Sequence, residues 1–237
     1  MDYGTLYLIP CPISDETAPW DVLPAANRDV MNSLDYFIVE NTRSARRFLS
    51  KAGVERPIDT LEFRELNEHT AAGREVEELV NPLLEGRSAG VISEAGVPGV
   101  ADPGALVVEA CHRRGIRVVP LVGPSSIILA VMASGLNGQS FAFNGYLPVK
   151  PPERAKAIRF FERRALTEGQ SQLFIEAPYR NGKLMEQPVQ TLGAETRLTV
   201  AVELTAPGGR IETRTAGEWR RRPLPELNKR PAIFIIG

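Results

Sequence analysis

A short apolar run, Ser88-Ala89-Gly90-Val91-Ile92, opens into a loop holding Gly96, Pro98, Gly99 and Pro103 together with the acids Glu94 and Asp102. An apolar helix then begins at Ala105-Leu106-Val107-Val108. Small and β-branched residues without alternation suit a strand buried on both faces, which is the signature of a parallel sheet. The loop would then stand at the carboxyl end of that strand, where open α/β sheets receive their ligands. Glycines let a ligand approach the backbone, and prolines hold the loop in one shape. A tight turn with no ligand is the competing reading of the same residues. The Gly96-x-x-Gly99 spacing encloses Pro98 and is not the dinucleotide fingerprint, and no Gly-Lys-Ser/Thr follows to make a P-loop. The expected ligand is one not held by its phosphates.

The rest of the first half repeats the arrangement. Thr5-Leu6-Tyr7-Leu8-Ile9 and Tyr36-Phe37-Ile38-Val39 read as strands ending in Pro10-Cys11-Pro12-Ile13-Ser14-Asp15 and Glu40-Asn41-Thr42-Arg43. A helix is expected from Asp21 or Pro24 to Ser33, and another, capped by Thr42 or Ser44, to Leu49. Ile116 to Pro120 closes this βα series, which argues for a mostly parallel sheet covered by helices. Gly123-Pro124-Ser125-Ser126 then opens an apolar helix to Ser134. Later strands at Phe141–Phe143, Gln172–Glu176, Leu198–Val202 and Ala232–Ile236 predict a second, mixed sheet. The 237 residues suit two domains of roughly 110 to 120 residues, and the expected division is 1–120 and 121–237.

Composition removes several function classes. The net charge of −1 gives no global attraction to nucleic acid, so any RNA contact must come from local patches. Two cysteines and two histidines provide neither a disulfide framework nor a zinc site, and no metal is expected. No apolar run approaches the ~20 residues of a membrane span, and the start at Met1-Asp2-Tyr3-Gly4 is unlike a signal peptide. A cytoplasmic protein is the expectation.

In chain order, Gly4 to Ile13, Glu40 to Arg43, Ser93 to Gly104, Val119 to Ser126, Gly145-Tyr146-Leu147-Pro148, Glu176 to Arg180 and Glu203-Leu204-Thr205 together resemble the tetrapyrrole methylase superfamily. These are methyltransferases that use S-adenosylmethionine. Within the superfamily the chain is most similar to the branch that methylates a ribose 2′-hydroxyl of small-subunit ribosomal RNA. The resemblance implies two α/β domains with the cofactor in the cleft between them, a homodimer, and ribosomal RNA or the small ribosomal subunit as partner. For the cofactor it implies Pro12, Ser93, Glu94, Gly96, Val97, Val100, Ala101, Ser125, Ser126, Asn144, Gly145 and Ala177. Adenine and a methionine chain carry no phosphate, so Gly/Pro turns with apolar walls suit them.

The resemblance also directs attention to Glu40 and Arg43 as catalytic candidates and to Asn67 and Glu68 as substrate contacts. A carboxylate near the acceptor hydroxyl would take or orient its proton, and Arg43 would clamp a phosphate. The structural alternatives are an acid that accepts backbone amides at the start of the following helix for Glu40, a solvated helix face for Arg43, Arg46 and Arg47, and a helix cap for Asn67. Asp102 is expected to anchor loop backbone. The Arg220-Arg221-Arg222 run and Arg154, Lys156, Arg159, Arg163 and Arg164 could form an RNA-facing surface, but solvated helix charge balanced by Glu153 and Glu162 is the default reading. Departures from the branch occur at Ser14-Asp15, Asn41, Glu94, Val97, Tyr179 and Ala206, and the branch's short C-terminal extension is not seen beyond Gly237. A tetrapyrrole precursor as acceptor, or a cofactor-binding paralogue without RNA activity, are the alternative functions.

Overall fold

The computed structural model describes residues 2–66 and 73–237. The chain divides into two compact units, Met1–Ser125 and Ser126–Gly237.

In the first unit, successive side chains of each inner strand alternate between two apolar layers, as the two-residue period of a strand requires. β1 (Thr5–Ile9) sends Leu6 one way and Ile9 the other, and β2 (Tyr36–Val39) divides Tyr36 and Ile38 from Phe37 and Val39. α1 (Pro19–Val22), α2 (Ala26–Ser33) and α3 (Thr42–Ala52) precede β3 (Glu62–Glu65). α4 (Arg74–Leu84), β4 (Ala89–Ile92), α5 (Gly104–Arg114) and β5 (Arg117–Pro120) complete the unit. The sheet runs β3-β2-β4-β1-β5, and every neighbouring pair is parallel.

This order places the site. From β1 the chain moves outward through β2 to β3, and its connecting helices cover the face that holds Ile9, Phe37 and Leu49. It then reverses through β4 to β5, and α4 and α5 cover the face that holds Leu6, Ile38 and Val107. Right-handed crossovers make a reversal of direction a change of face. β4 lies between β1 and β2, so the loop leaving it diverges from both neighbours. Such points of divergence at the carboxyl ends of parallel strands are where these sheets form binding crevices.

Two local expectations are corrected. Of the two starts expected for the helix ending at Ser33, Pro24 is within two residues of α2, whereas Asp21 falls in the separate α1, cut off by extended backbone at Leu23. The cap of α3 is Asn41, whose Oδ1 accepts the Ser44 amide at 3.1 Å, and neither Thr42 nor Ser44. Asn41 is the residue with extended backbone just before the first helical turn, so its side chain points back at an orphan amide, and Glu65 Oε1 accepts another, that of Thr42, at 3.1 Å.

The second unit contains α6 (Ser126–Ser134), β6 (Phe141–Tyr146), α7 (Pro151–Glu168), β7 (Ser171–Ile175), α8 (Asn181–Thr191), β8 (Arg197–Val202), β9 (Arg210–Thr215), α9 (Ala216–Arg220) and β10 (Ala232–Ile236). Its sheet runs β6-β7-β10-β8-β9, with β6 parallel to β7 and the other pairs antiparallel. β10, the latest strand in the chain, is the middle one. Phe174, Phe234 and Trp219 anchor the layer beneath α7, α8 and α9, while Ile233 and Ile235 face α6 on the opposite side. The expected pairing of a parallel first sheet with a mixed second sheet is therefore present.

Candidate functional site

Every first-unit candidate among the described residues belongs to a connection leaving the carboxyl end of a strand. The loop after β1 is tied to the loop after β4 by the Cys11 amide, which donates to the Gly96 carbonyl at 2.8 Å. The Cys11 thiol reaches the Ser93 carbonyl at 3.5 Å. Burial pushes that thiol's pKa upward, so it stays protonated and is no nucleophile. Gly96 has φ +71°, and a Cβ there would stand 3.4 Å from the Pro124 carbonyl oxygen. The loops after β1, β4 and β5 thus approach one another at Gly96 with backbone, and it is the positive φ that disfavours a side chain there.

Two depressions flank the end of β4, as the diverging connections require. One is walled by Pro12, Asp15, Ser44, Arg47, Lys51 and Glu94, and the other by Glu40, Leu66, Asp102 and Gly104, with Ser93 shared by both. Glu40 lies at the end of β2 and is half-buried. Its Oε2 accepts the Glu94 amide at 3.2 Å, so it serves the focal loop's backbone. Glu94 in turn accepts from the Ser44 hydroxyl at 3.0 Å, which joins α3 to the same loop. Asp102 accepts the Gly99 and Gly104 amides at 2.8 and 2.7 Å, the anchoring role expected of it. Burial holds its pKa above the ordinary carboxyl value, against the smaller opposing pull of those two amides. Val97 is half-buried, whereas Val100 and Ala101 are exposed. Ala101 holds φ +61°, a conformation that strains any residue with a Cβ and is typical of binding loops.

Arg43 is exposed in the first turn of α3 and makes no ion pair with a described residue. Asn67 and Glu68 lie outside the described residues. Pro12 and Ser125 are half-buried in the loops after β1 and β5.

The other candidates belong to the second unit. Ser126 begins α6. Asn144 and Gly145 form an irregularity where the β6–β7 register shifts, with Gly145 at φ +64°. The Asn144 amide group donates to the Ala142 and Leu173 carbonyls and to Gln172 Oε1, all at 3.2 Å, which fixes the bulge. The Ala177 amide donates to Glu176 Oε1 at 2.8 Å.

Sequence reasoning passed over Arg47, Lys51 and the Glu176–Arg180 pair. Arg47 meets Asp15 at 3.2 Å and Lys51 donates to the Asp15 carbonyl at 3.1 Å, so two cations join the acids Asp15 and Glu94 in the wall of one depression. Their spacing from Arg43, four and eight residues along one helix face, was the available signal. Glu176 is buried and ion-paired with Arg180 at 2.6 Å, and its Oε2 has no hydrogen-bond partner among the described residues. Among the described residues no cluster of His, Cys, Asp and Glu could hold a metal, and no helix is long and apolar enough to cross a membrane.

Comparison with known proteins adds a family and relatives. The family model described as tetrapyrrole (corrin/porphyrin) methylases matches residues 6–219. Ribosomal RNA small subunit methyltransferase I of Xylella fastidiosa is 31% identical over 98% of this chain and 80% of its own length. The protein of that name from Escherichia coli O157:H7 is 33% identical over 98% and 77%, and that from Vibrio cholerae 34% over 84% and 65%. Among solved structures, the methyltransferase CobJ superposes with a TM-score of 0.64 at 17% identity, covering 99% of this chain and 94% of that one. Uroporphyrin-III-C-methyltransferase from Thermus thermophilus gives 0.53 at 18% identity, over 99% and 92%. At those identities the two structures speak to the fold.

Proposed function

The chain belongs to the tetrapyrrole methylase family, and we propose that it transfers the methyl group of S-adenosylmethionine to a ribose 2′-hydroxyl of small-subunit ribosomal RNA. The observation that carries the acceptor is identity of about a third, over nearly the whole chain, to relatives named for small-subunit ribosomal RNA. The residues fit the cofactor. Gly96, at a φ of +71° that side chains rarely adopt, presents backbone, and the loops around it offer amides, carbonyls and the apolar Val97 with no phosphate cradle. Pro12, Ser93, Glu94, Val100, Ala101 and Ser125 would complete the contacts of the first unit. Ser126, Asn144, Gly145 and Ala177 would be those of the second, where Glu176 Oε2 offers a buried acceptor next to Ala177.

When bound, the cofactor supplies an electrophilic methyl on a sulfonium. The protein's part is to hold an acceptor oxygen in line and exclude other nucleophiles, the largest contribution available to such a displacement. Glu40 would accept the hydrogen bond of the acceptor hydroxyl, and Arg43 would hold a neighbouring phosphate. Asn67 and Glu68 are further substrate contacts in this proposal. A homodimer in the cytoplasm completes it, the exposed Ile128 and Met132 of α6 being the apolar surface a second copy would cover.

The test is incubation with methyl-labelled cofactor and undermethylated small ribosomal subunits. Label should appear on a ribose of the ribosomal RNA. Transfer to a precorrin-like macrocycle with none to the subunit would overturn the acceptor and leave the family intact.

A further inference from the structure

We propose that the exposed stripe of α7 is a docking surface for single-stranded RNA, with an unstacked base on Phe160 and flanking phosphates on Lys156, Arg159 and Arg163. The proposal rests on the RNA reading for its biological partner and on the geometry of α7 for its chemistry. The four residues recur at intervals of three and four, which places them on one helix face. All four are exposed, and Phe160 keeps 46% of its surface open to solvent. An isolated exposed phenylalanine would be ordinary. This one forms an open depression with Glu153, Ala157 and the three cations, and the guanidinium of Arg163 stands 5.7 Å from its ring.

The charge on this stripe is not balanced in the way the sequence suggests. Glu162 turns to the protein interior side of α7, where it accepts from the Gly193 amide and the Thr196 hydroxyl, both at 2.6 Å. Glu153 pairs with Lys150 at 3.6 Å. Of the remaining cations of the helix, Arg154 bonds Gln187, and Arg164 pairs with Glu168 while its guanidinium stands 6.0 Å from the Phe160 ring. Lys156, Arg159 and Arg163 have no carboxylate partner among the described residues, whereas Arg46, Arg47, Arg87, Arg113, Arg114 and Arg230 all have one. Three unneutralised cations spread over about 10 Å of helix axis around an open aromatic ring. That combination matches an anionic, flexible ligand with π faces, which is single-stranded nucleic acid.

The experiment is fluorescence anisotropy of a labelled ten-nucleotide single-stranded RNA against the intact protein at 50 to 200 mM salt. Cofactor binding and melting serve as controls, and methyl transfer to small ribosomal subunits is measured in parallel. With three phosphates neutralised, affinity should fall roughly fifteen-fold over that salt range. Lys156→Gln/Arg159→Gln/Arg163→Gln should lower affinity and remove about two units of the salt slope. Phe160→Ala should weaken binding roughly five- to a hundredfold, while Phe160→Trp should keep it. No saturable binding by the parent at 50 mM salt overturns the proposal, as do variants that bind with the parent's affinity and slope. A changed sedimentation of the RNA-free variants, or equal binding to phosphatidylglycerol vesicles, would assign the stripe to a second copy or to lipid and also overturn it. Stripe-dependent RNA binding without methyl transfer would sink the proposed function and keep this surface. Methyl transfer with stripe-independent binding would do the reverse.

Discussion

At Glu40, one carboxylate oxygen already accepts the Glu94 amide, so an informative substitution must remove acidity without removing the acceptor. Glutamine does this. If Glu40 takes or orients the acceptor's proton, Glu40→Gln should keep cofactor affinity and melting temperature while transfer falls roughly 10²- to 10⁴-fold. Loss of cofactor binding and stability with unchanged turnover per bound cofactor would make Glu40 a loop anchor only. Other residues of the site were legible to different degrees for physical reasons. Gly96 and Asp102 could be picked out because a loop of this shape needs one residue without a side chain and one acceptor for its amides. Arg47 and Lys51 could not, because exposed cations on a helix look alike until a neighbouring loop is seen to bring Asp15 beside them.

Among the elements, the inner strands and the edge strands β5 and β6 announce themselves, and the charged edges β3 and β9 do not. β1, β2 and β4 are nearly all apolar because both faces of a parallel sheet are covered. β3 reads Glu-Phe-Arg-Glu and β9 Arg-Ile-Glu-Thr-Arg-Thr, and both are edge strands, half solvated and charged, which hides their period. At the amino ends of the strands, away from the site, Arg87 joins three of them. It contacts Asp35 at 2.9 Å and Glu62 at 2.6 Å, and its guanidinium lies 4.9 Å from the Tyr36 ring. The hydrogen bond from Arg87 holds the Glu62 carboxyl below its ordinary pKa. A depressed carboxylate stabilises the fold above its unfolded pKa of about 4.3, and that contribution is lost as pH falls through the lower folded value. The Glu62 side chain is 38% exposed, so solvent screening keeps each ion pair small. Arg87→Met should lower stability to urea by about 1 to 2 kcal/mol at pH 7 and flatten the acid dependence below about pH 4.3. An unchanged acid limb in the variant would mean that something other than Arg87 depresses Glu62.

For the whole molecule, alternation of strands and helices was enough to foresee two sheets of different kinds, but strand order was beyond it. The reversal after β3 that puts β4 between β1 and β2 leaves no mark on composition, yet it decides where the crevices open. The second sheet hides its order as well, and that order has a consequence in time. Its middle strand is made last. Until residues 232–236 emerge from the ribosome, β7 and β8 have no partner between them, and each offers an apolar edge with unpaired backbone. At about 5 to 20 residues per second, the 56 residues from Glu176 to Pro231 keep β7 waiting for several seconds, while the first unit, complete by Ser125, is free to fold. Limited proteolysis of ribosome-bound nascent chains should therefore find the first unit resistant well before the second, and β7 and β8 resistant only when β10 has cleared. Protection of β7 and β8 on shorter chains would refute that order. An unpaired apolar edge of that kind is a surface prone to aggregation, so slower translation through this stretch should lengthen the time the growing chain spends exposed in a way its finished form is not.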